Sequence, residues 1–185
     1  MKTKLIGLVG PAGAGKSTIA DILWVDHGYF EMAFADRLKD VLSTMFGWER
    51  LDLEDRQFKE TVDPVWGITP REALQRMGTE AVQTVFGKDF WVRAWRQVYD
   101  HISHNHNVVV SDVRFEHEAE AIRALGGQIV HIVGRSLPVN GVAGHSSERG
   151  IAKQDNDYIL DNSADLITLE EGVLGLVEFM ETVHG

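Results

Sequence analysis

The run Gly10-Pro-Ala-Gly-Ala-Gly-Lys16-Ser17-Thr18 constrains this chain more than any other stretch. It meets the pattern G-x-x-x-x-G-K-[ST] at every fixed position, and its flanks supply the context that pattern needs. Lys4-Leu-Ile-Gly-Leu-Val9 is a short apolar run that reads as a buried strand, and Ile19, Ile22 and Leu23 fall at helical spacing. Gly10, Gly13 and Gly15, with Ala12 and Ala14 between them, let the loop turn its N–H groups toward one point without a bulky side chain in the way. The positive end of the following helix faces the same point. Lys16 can reach β- and γ-phosphates, Ser17 can ligate Mg²⁺, and Thr18 continues the loop into the helix. The motif predicts binding of a nucleoside triphosphate such as ATP. It leaves open what is done with it.

Length and composition narrow the remaining choices. A chain of 185 residues predicts a single domain with room for a small lid. With 44% apolar and 25% charged residues it has the make-up of a soluble globular protein. It has no cysteine, hence no disulfide and no thiolate metal site, which fits a reducing cytoplasm. A net charge of −10 argues against a nucleic-acid partner, since duplex binding needs the opposite sign. Lys2 and Lys4 precede an apolar run, but it ends at Val9, too short for a signal sequence. No stretch approaches the ~20 apolar residues of a membrane span, so no membrane partner is expected.

Along the chain, the first helix should stop at Gly28, and Tyr29 to Phe34 reads as a second strand. A helix from Asp36 should end near Gly47, and residues 48–66 read as irregular or partly helical. Thr69-Pro-Arg-Glu72 is a helix start: Thr69 caps, Pro70 takes the first position, and Glu72 completes a capping box. Leu74, Met77, Ala81, Val82 and Val85 form the expected buried stripe of that helix, which Gly87 ends. A further helix runs from Asp89 to about Ile102. Asn107 to Val110 reads as a buried parallel strand followed by Ser111-Asp112. Then come a helix from Phe115 to Leu125, a strand from Gln128 to Val133, a long loop over 134–153, a strand from Asp157 to Leu160 and a helix from Leu169 to Val183. Strands alternating with helices predict an α/β fold, a parallel sheet covered on both faces, with ligands at the carboxyl ends of the strands.

Other residues join the phosphate loop as site candidates. Asp112 ends a hydrophobic strand, where an acid beside the loop would meet Mg²⁺ or its waters, and Arg114 should lie at the same rim. Arg71, Gln75 and Thr79 fall at i, i+4 and i+8, which places an arginine, an amide and a hydroxyl on one helix face. Glu72, Arg76 and Glu80 form the adjacent stripe and read as a salt-bridge ladder. The loop from Gly134 carries Arg135, Arg149 and Lys153, as suits a lid that closes over phosphates. His101, His104 and His106 lack metal-ligand spacing. Trp66 and Trp91 each adjoin a candidate segment.

A GTPase would need a base-reading N-K-x-D element. The nearest run, Ala152-Lys-Gln-Asp155, lacks the asparagine, and no coupling domain points to a motor or transport ATPase. A small-molecule kinase remains. The chain resembles the deoxynucleoside monophosphate kinases of bacteriophages, within the nucleoside-monophosphate-kinase group of P-loop folds. The resemblance rests on the P-loop, on Phe34-Ala-Asp-Arg-Leu-Lys39, on Thr69 to Glu80 and on Asp89-Phe-Trp-Val92. It continues through Val110-Ser-Asp-Val-Arg-Phe-Glu-His-Glu118 and His145-Ser-Ser-Glu148 to Asp161-Asn162. Cytidylate kinase, whose loop is similar, is the nearest rival, another small-metabolite P-loop kinase is a further alternative, and a non-catalytic nucleotide-gated binding protein is the reading from another class.

The resemblance implies a three-layer P-loop fold. Its five-stranded parallel sheet would have the order 2-3-1-4-5, with helices on both faces and a lid loop. One kinase domain would span 1–185, with a substrate-binding helical region at about 36–100 and a lid at about 134–153. It implies Mg²⁺-dependent transfer from ATP to a deoxynucleoside monophosphate. Carried onto this sequence, it places Lys39, Arg71, Gln75, Gly78, Thr79, Trp91, Asp112, Arg114 and Glu118 at the monophosphate site, with Trp66 beside them and Arg135 and Arg149 toward the donor. Members of that family are often dimeric, so a homodimer is among the expected partners. No general base is required, because a phosphate monoester with a second pKa of ~6 is already largely dianionic at neutral pH. Lys16, Arg71 and Arg114 would neutralise and align the two anions, with Asp112 meeting Mg²⁺ or its waters.

Overall fold

The computed structural model describes residues 3–135 and 151–184. The chain divides into two compact units, one made of residues 1–33 and 98–185, the other of residues 34–97.

The first unit holds the sheet. Strands β1 (Leu5–Val9), β2 (Phe30–Met32), β3 (Val108–Val110), β4 (Gln128–Val133) and β5 (Tyr158–Asp161) lie in the order β2-β3-β1-β4-β5. Every pairing is parallel, with Leu5 opposite Val108, Ile6 opposite Gln128, Phe30 opposite Val108 and Val130 opposite Tyr158. This is the expected order. Helices α1 (Lys16–His27), α7 (Glu116–Ala124) and α8 (Leu166–His184) cover it.

Strand β1 is buried along its whole length, as a central strand with both faces covered must be. Ile6 and Leu8 join Ile19, Leu23, Val173, Leu176 and Met180 in the core against α1 and α8. Gly7 points to the other face, where a Cβ would lie 2.6 Å from Ile122 Cδ1 of α7. Glycine there lets α7 approach the sheet closely. Helix α1 ends in the left-handed conformation at Gly28, as the sequence predicts, with φ 69°. Strand β2 is shorter than the reading from Tyr29 to Phe34, because Tyr29 is a core residue beneath α1 and not part of the ladder.

The second unit is helical: α2 (Asp36–Phe46), α3 (Arg56–Glu60), α4 (Pro70–Gln75), a π-helical turn (Arg76–Ala81), α5 (Val82–Phe86) and the start of α6 (Phe90–Ile102). Leu38, Leu42, Trp48, Leu53, Ala73 and Trp91 form its own core. Three expectations are corrected here. The helix starting at Thr69 is not α-helical throughout, since a π turn interrupts it at Arg76–Ala81. Pro70, Ala73 and Gly78 are buried, and Leu74, Met77 and Val82 of the expected stripe pack half-buried against the core, whereas Ala81 and Val85 are exposed. Thr69 does cap the helix by accepting from the Glu72 N–H, but the Glu72 carboxylate turns outward to Arg76.

Candidate active site

The loop between β1 and α1 takes the shape its glycines allow. Gly13 and Gly15 have φ of 78° and 98°, a region closed to most side chains. Ala14 is buried beneath the loop, while Ser17 and Thr18 stand exposed on the first turn of α1. The Lys16 ammonium donates to the carbonyls of Gly10 at 2.6 Å and Pro11 at 2.9 Å, so it is folded back over its own loop. Burial lowers the Lys16 pKa and the Arg114 guanidinium lowers it further, with the Asp112 carboxylate opposing both. Lysine, arginine and aspartate therefore share one neighbourhood, as two adjacent parallel strands ending side by side require.

Asp112 and Arg114 are delivered by the turn from β3 into α7, and a buried carboxyl holds that turn. Glu118 is 5% exposed, and its Oε2 accepts the N–H of Arg114 at 2.7 Å and of Phe115 at 3.0 Å. Burial, reinforced by Asp112, pushes its carboxyl up to about 8. The carboxyl of Glu118, expected at the monophosphate site, thus holds the backbone of this turn. Gly10 is tightly placed as well, since a Cβ there would lie 3.2 Å from the carbonyl of Ile132 on β4.

Arg135, just past β4, donates to the carbonyl of Ala164 in the turn after β5. Arg149 and most of the expected lid fall within 136–150, outside the described residues. The turn after β5 also contributes Asn162, whose amide donates to the carbonyl of Ala14 at 2.8 Å. No helical or strand periodicity marks that residue. Its only sequence signal is its place in Asp161-Asn162 at the end of the last strand.

In the helical unit, Arg71 is exposed at the start of α4 and donates to Glu60 at 2.6 Å. Gln75 and Thr79 are half-buried. The wider π turn moves Thr79 off the row that α-helical spacing assigns it with Arg71 and Gln75. Lys39 spends its ammonium on both oxygens of Glu54, at 2.8 and 2.7 Å, and Arg50 bonds the same carboxylate. Burial works to raise the Glu54 pKa, but hydrogen bonds from Lys39 and Arg50 outweigh it and hold it below the usual range. Gly78 and Trp91 belong to each other. The buried indole N–H donates to the Gly78 carbonyl at 2.8 Å, and a Cβ on Gly78 would lie 2.7 Å from Leu38 Cδ2. Both residues, expected at the monophosphate site, are thus joined in the packing of the helical unit. Trp66 is 48% exposed and fixed by its N–H on the Phe46 carbonyl at 3.1 Å.

A metal ion would find oxygen donors here, the Ser17 hydroxyl and the Asp112 carboxylate. One hydroxyl and one carboxylate fit Mg²⁺, which keeps several waters and takes phosphate oxygens to complete its shell. Among the described residues no cluster of three or more His, Asp or Glu could hold a metal by itself. No helix there is long and apolar enough to cross a membrane. An open depression of about 710 Å³ lies at the amino ends of β4 and β5, lined in part by Gly127, Asp157 and Phe179, at the end of the strands opposite to the phosphate loop.

The family model for deoxynucleotide monophosphate kinase matches residues 53–173. The chain belongs to that family. The matched span begins after the phosphate loop, so the loop is independent support for nucleotide binding. A relative from Acanthamoeba polyphaga mimivirus is 37% identical over 145 residues, covering 69% of this chain and 72% of its own length. The deoxynucleotide monophosphate kinase of Escherichia phage RB69 is 28% identical, with 69% of this chain and 53% of its own length covered. That of Enterobacteria phage T4 is 27% identical, with 57% and 43% covered, so this chain spans about half the length of the two phage relatives. Among solved structures, TT1252 from Thermus thermophilus superposes with a TM-score of 0.54 at 19% identity, over 97% of this chain and 98% of its own. A gluconokinase from Sinorhizobium meliloti gives 0.50 at 15% identity, over 99% and 97%. At such identities these likenesses establish the fold alone.

Proposed function

We propose that this chain transfers the γ-phosphoryl group of ATP to a deoxynucleoside monophosphate, giving the diphosphate. The observation that carries the reading is the assembly of Lys16, Asp112 and Arg114 at the carboxyl ends of β1 and β3, beside a loop whose amides and helix terminus favour an anion. Membership of the deoxynucleotide monophosphate kinase family supplies the acceptor class.

The chemistry asks the protein for position and charge rather than for a base. The loop amides receive the donor phosphates. Lys16 leaves the carbonyls of Gly10 and Pro11, which are weak partners for an ammonium, and moves to the phosphates. Its lowered pKa reflects a shielded site in which charge interactions are strong. Ser17 and Asp112 would hold Mg²⁺, which when bound offsets negative charge on the phosphate oxygens. Arg114, held in place through Glu118, faces the transferring group. In the helical unit, Arg71 exchanges Glu60 for an acceptor phosphate, a better bidentate partner. Gln75, Thr79, Trp66 and Trp91 are there for the nucleoside, and Lys39 can exchange Glu54 for phosphate as Arg71 does Glu60.

A coupled ADP-release assay with ATP, Mg²⁺ and a panel of monophosphates tests the reading. The panel runs dTMP, dGMP, dCMP, dAMP and their ribose counterparts. Turnover with deoxynucleotides supports it. Preference for CMP moves the chain to a cytidylate kinase activity, and no turnover with any monophosphate overturns the proposal.

A further inference from the structure

The turn that follows β5 touches the phosphate loop through one side chain. Asn162 is 3% exposed, and its Nδ2 donates to the carbonyl of Ala14 at 2.8 Å across 148 residues of sequence. The same amide occupies the space beside the next residue of the loop: a Cβ on Gly15 would lie 2.3 Å from Asn162 Nδ2. Gly15 is therefore required twice, by its φ of 98° and by the amide packed on it. The Asn162 backbone N–H donates to Val133 at 2.9 Å, which fixes the turn to the end of β4.

The arrangement carries a cost. Asn162 Oδ1 is buried and has no hydrogen-bond partner among the described residues. A buried acceptor without a donor is destabilising, and a leucine of similar size would avoid it. Leucine has no N–H for Ala14, however. Aspartate would set an oxygen against the Ala14 carbonyl. A carboxamide supplies the donor in that volume at the expense of one orphaned oxygen.

We propose that Asn162 is a positioning residue that holds the phosphate loop in its nucleotide-receiving shape, by fixing the Ala14 carbonyl and packing on Gly15. With Ala14 O fixed, the peptide plane between Ala14 and Gly15 is fixed. Its opposite edge presents the Gly15 N–H, one of the donors expected to meet the donor phosphates. The inference rests on the donor reading of this loop given above.

The test compares wild type, Asn162→Asp and Asn162→Ala by calorimetric titration with Mg²⁺–ATP, acceptor KM and thermal melting, from pH 6 to pH 8.5. Asn162→Asp should weaken ATP binding by about tenfold or more at the upper pH, the scale of a lost buried donor. Relative to wild type it should recover affinity as the pH falls, because a protonated carboxyl can again donate to Ala14. Acceptor KM should stay within about twofold. Asn162→Ala should lose a similar factor at every pH, and it carries the test if the aspartate variant does not fold. A folded alanine variant that binds ATP as wild type does, or an equal loss in ATP and acceptor affinity with no pH dependence, overturns the assignment. Failure of the wild type to bind ATP overturns the donor reading and this inference with it.

Discussion

The backbone N–H of Arg114 and that of Phe115 both end on a single oxygen, Oε2 of Glu118, at 2.7 and 3.0 Å. The carboxyl that holds them is buried, and its pKa is pushed up to about 8 from an ordinary 4.5, first by burial and then by Asp112. One oxygen can accept both bonds while the other carries a proton. The turn bearing Asp112 and Arg114 is thus anchored by a group that is neutral through much of the physiological range.

A pH dependence of stability follows. The folded carboxyl keeps its proton up to about 8, whereas the unfolded one releases it near 4.5. Its contribution is fully present below 4.5, is lost as the pH rises toward 8 and is constant beyond. Glu118→Gln retains an acceptor for both N–H groups and cannot ionise. Melting of the metal-free protein should decline more steeply with pH from 5 to 8 in wild type than in this variant. Equal slopes would show that Glu118 is not protonated in the fold.

Replacing Trp91 by phenylalanine keeps most of the buried ring and removes the donor to Gly78. An unsatisfied buried carbonyl costs about 1–3 kcal/mol. At roughly 2–4 °C per kcal/mol for a chain of this size, melting should fall by several degrees. If Trp91 serves the nucleoside as well, Trp91→Phe will also raise the acceptor KM, and unchanged melting would contradict its packing role.

Lys16→Ala should leave the fold intact, because among the described residues the ammonium's hydrogen bonds go to the carbonyls of its own loop. Turnover should fall by on the order of a hundred- to a thousandfold, the range for losing a preorganised charge at a transition state. Melting without nucleotide is the control, and a variant with near-normal kcat would remove Lys16 from the chemistry.

The Arg71–Glu60 pair is exposed on both sides, so breaking it should change stability by less than about 1 kcal/mol. Its effect should appear in binding. Arg71→Ala should raise the acceptor KM by about tenfold or more, the worth of a charge-assisted bond, with the ATP KM little changed. Glu60→Gln frees the guanidinium and should leave the acceptor KM the same or lower. An unchanged acceptor KM in Arg71→Ala takes that residue out of the site.

The architecture was legible because its signals are local. An apolar run, three glycines and a lysine fix β1, the loop and α1, and Val108 to Val110 could hardly be anything but a central strand. The left-handed stops at Gly28 and Gly47 were equally plain, since few other residues adopt that conformation. What escaped was set by contacts distant in sequence. The π turn contains Gly78, which packs against Leu38 and accepts from Trp91, and α-helical spacing read across it does not hold for Thr79. Nothing in the sequence around Lys39 marks the ion pair it makes with Glu54. Glu118 is an exposed-looking acid in a helix start, and only the fold reveals that it is buried under its own turn. Asn162 is marked only by its place in Asp161-Asn162, and its bond to the phosphate loop is not, because its partner lies at the other end of the chain.

The most direct test follows the phosphoryl group itself. Wild type and Lys16→Ala are incubated with γ-labelled ATP, Mg²⁺ and each deoxynucleoside monophosphate, and the products are separated. The account predicts label in a deoxynucleoside diphosphate with wild type and almost none with the variant. Label recovered only as inorganic phosphate, or left in ATP with every monophosphate, would contradict it.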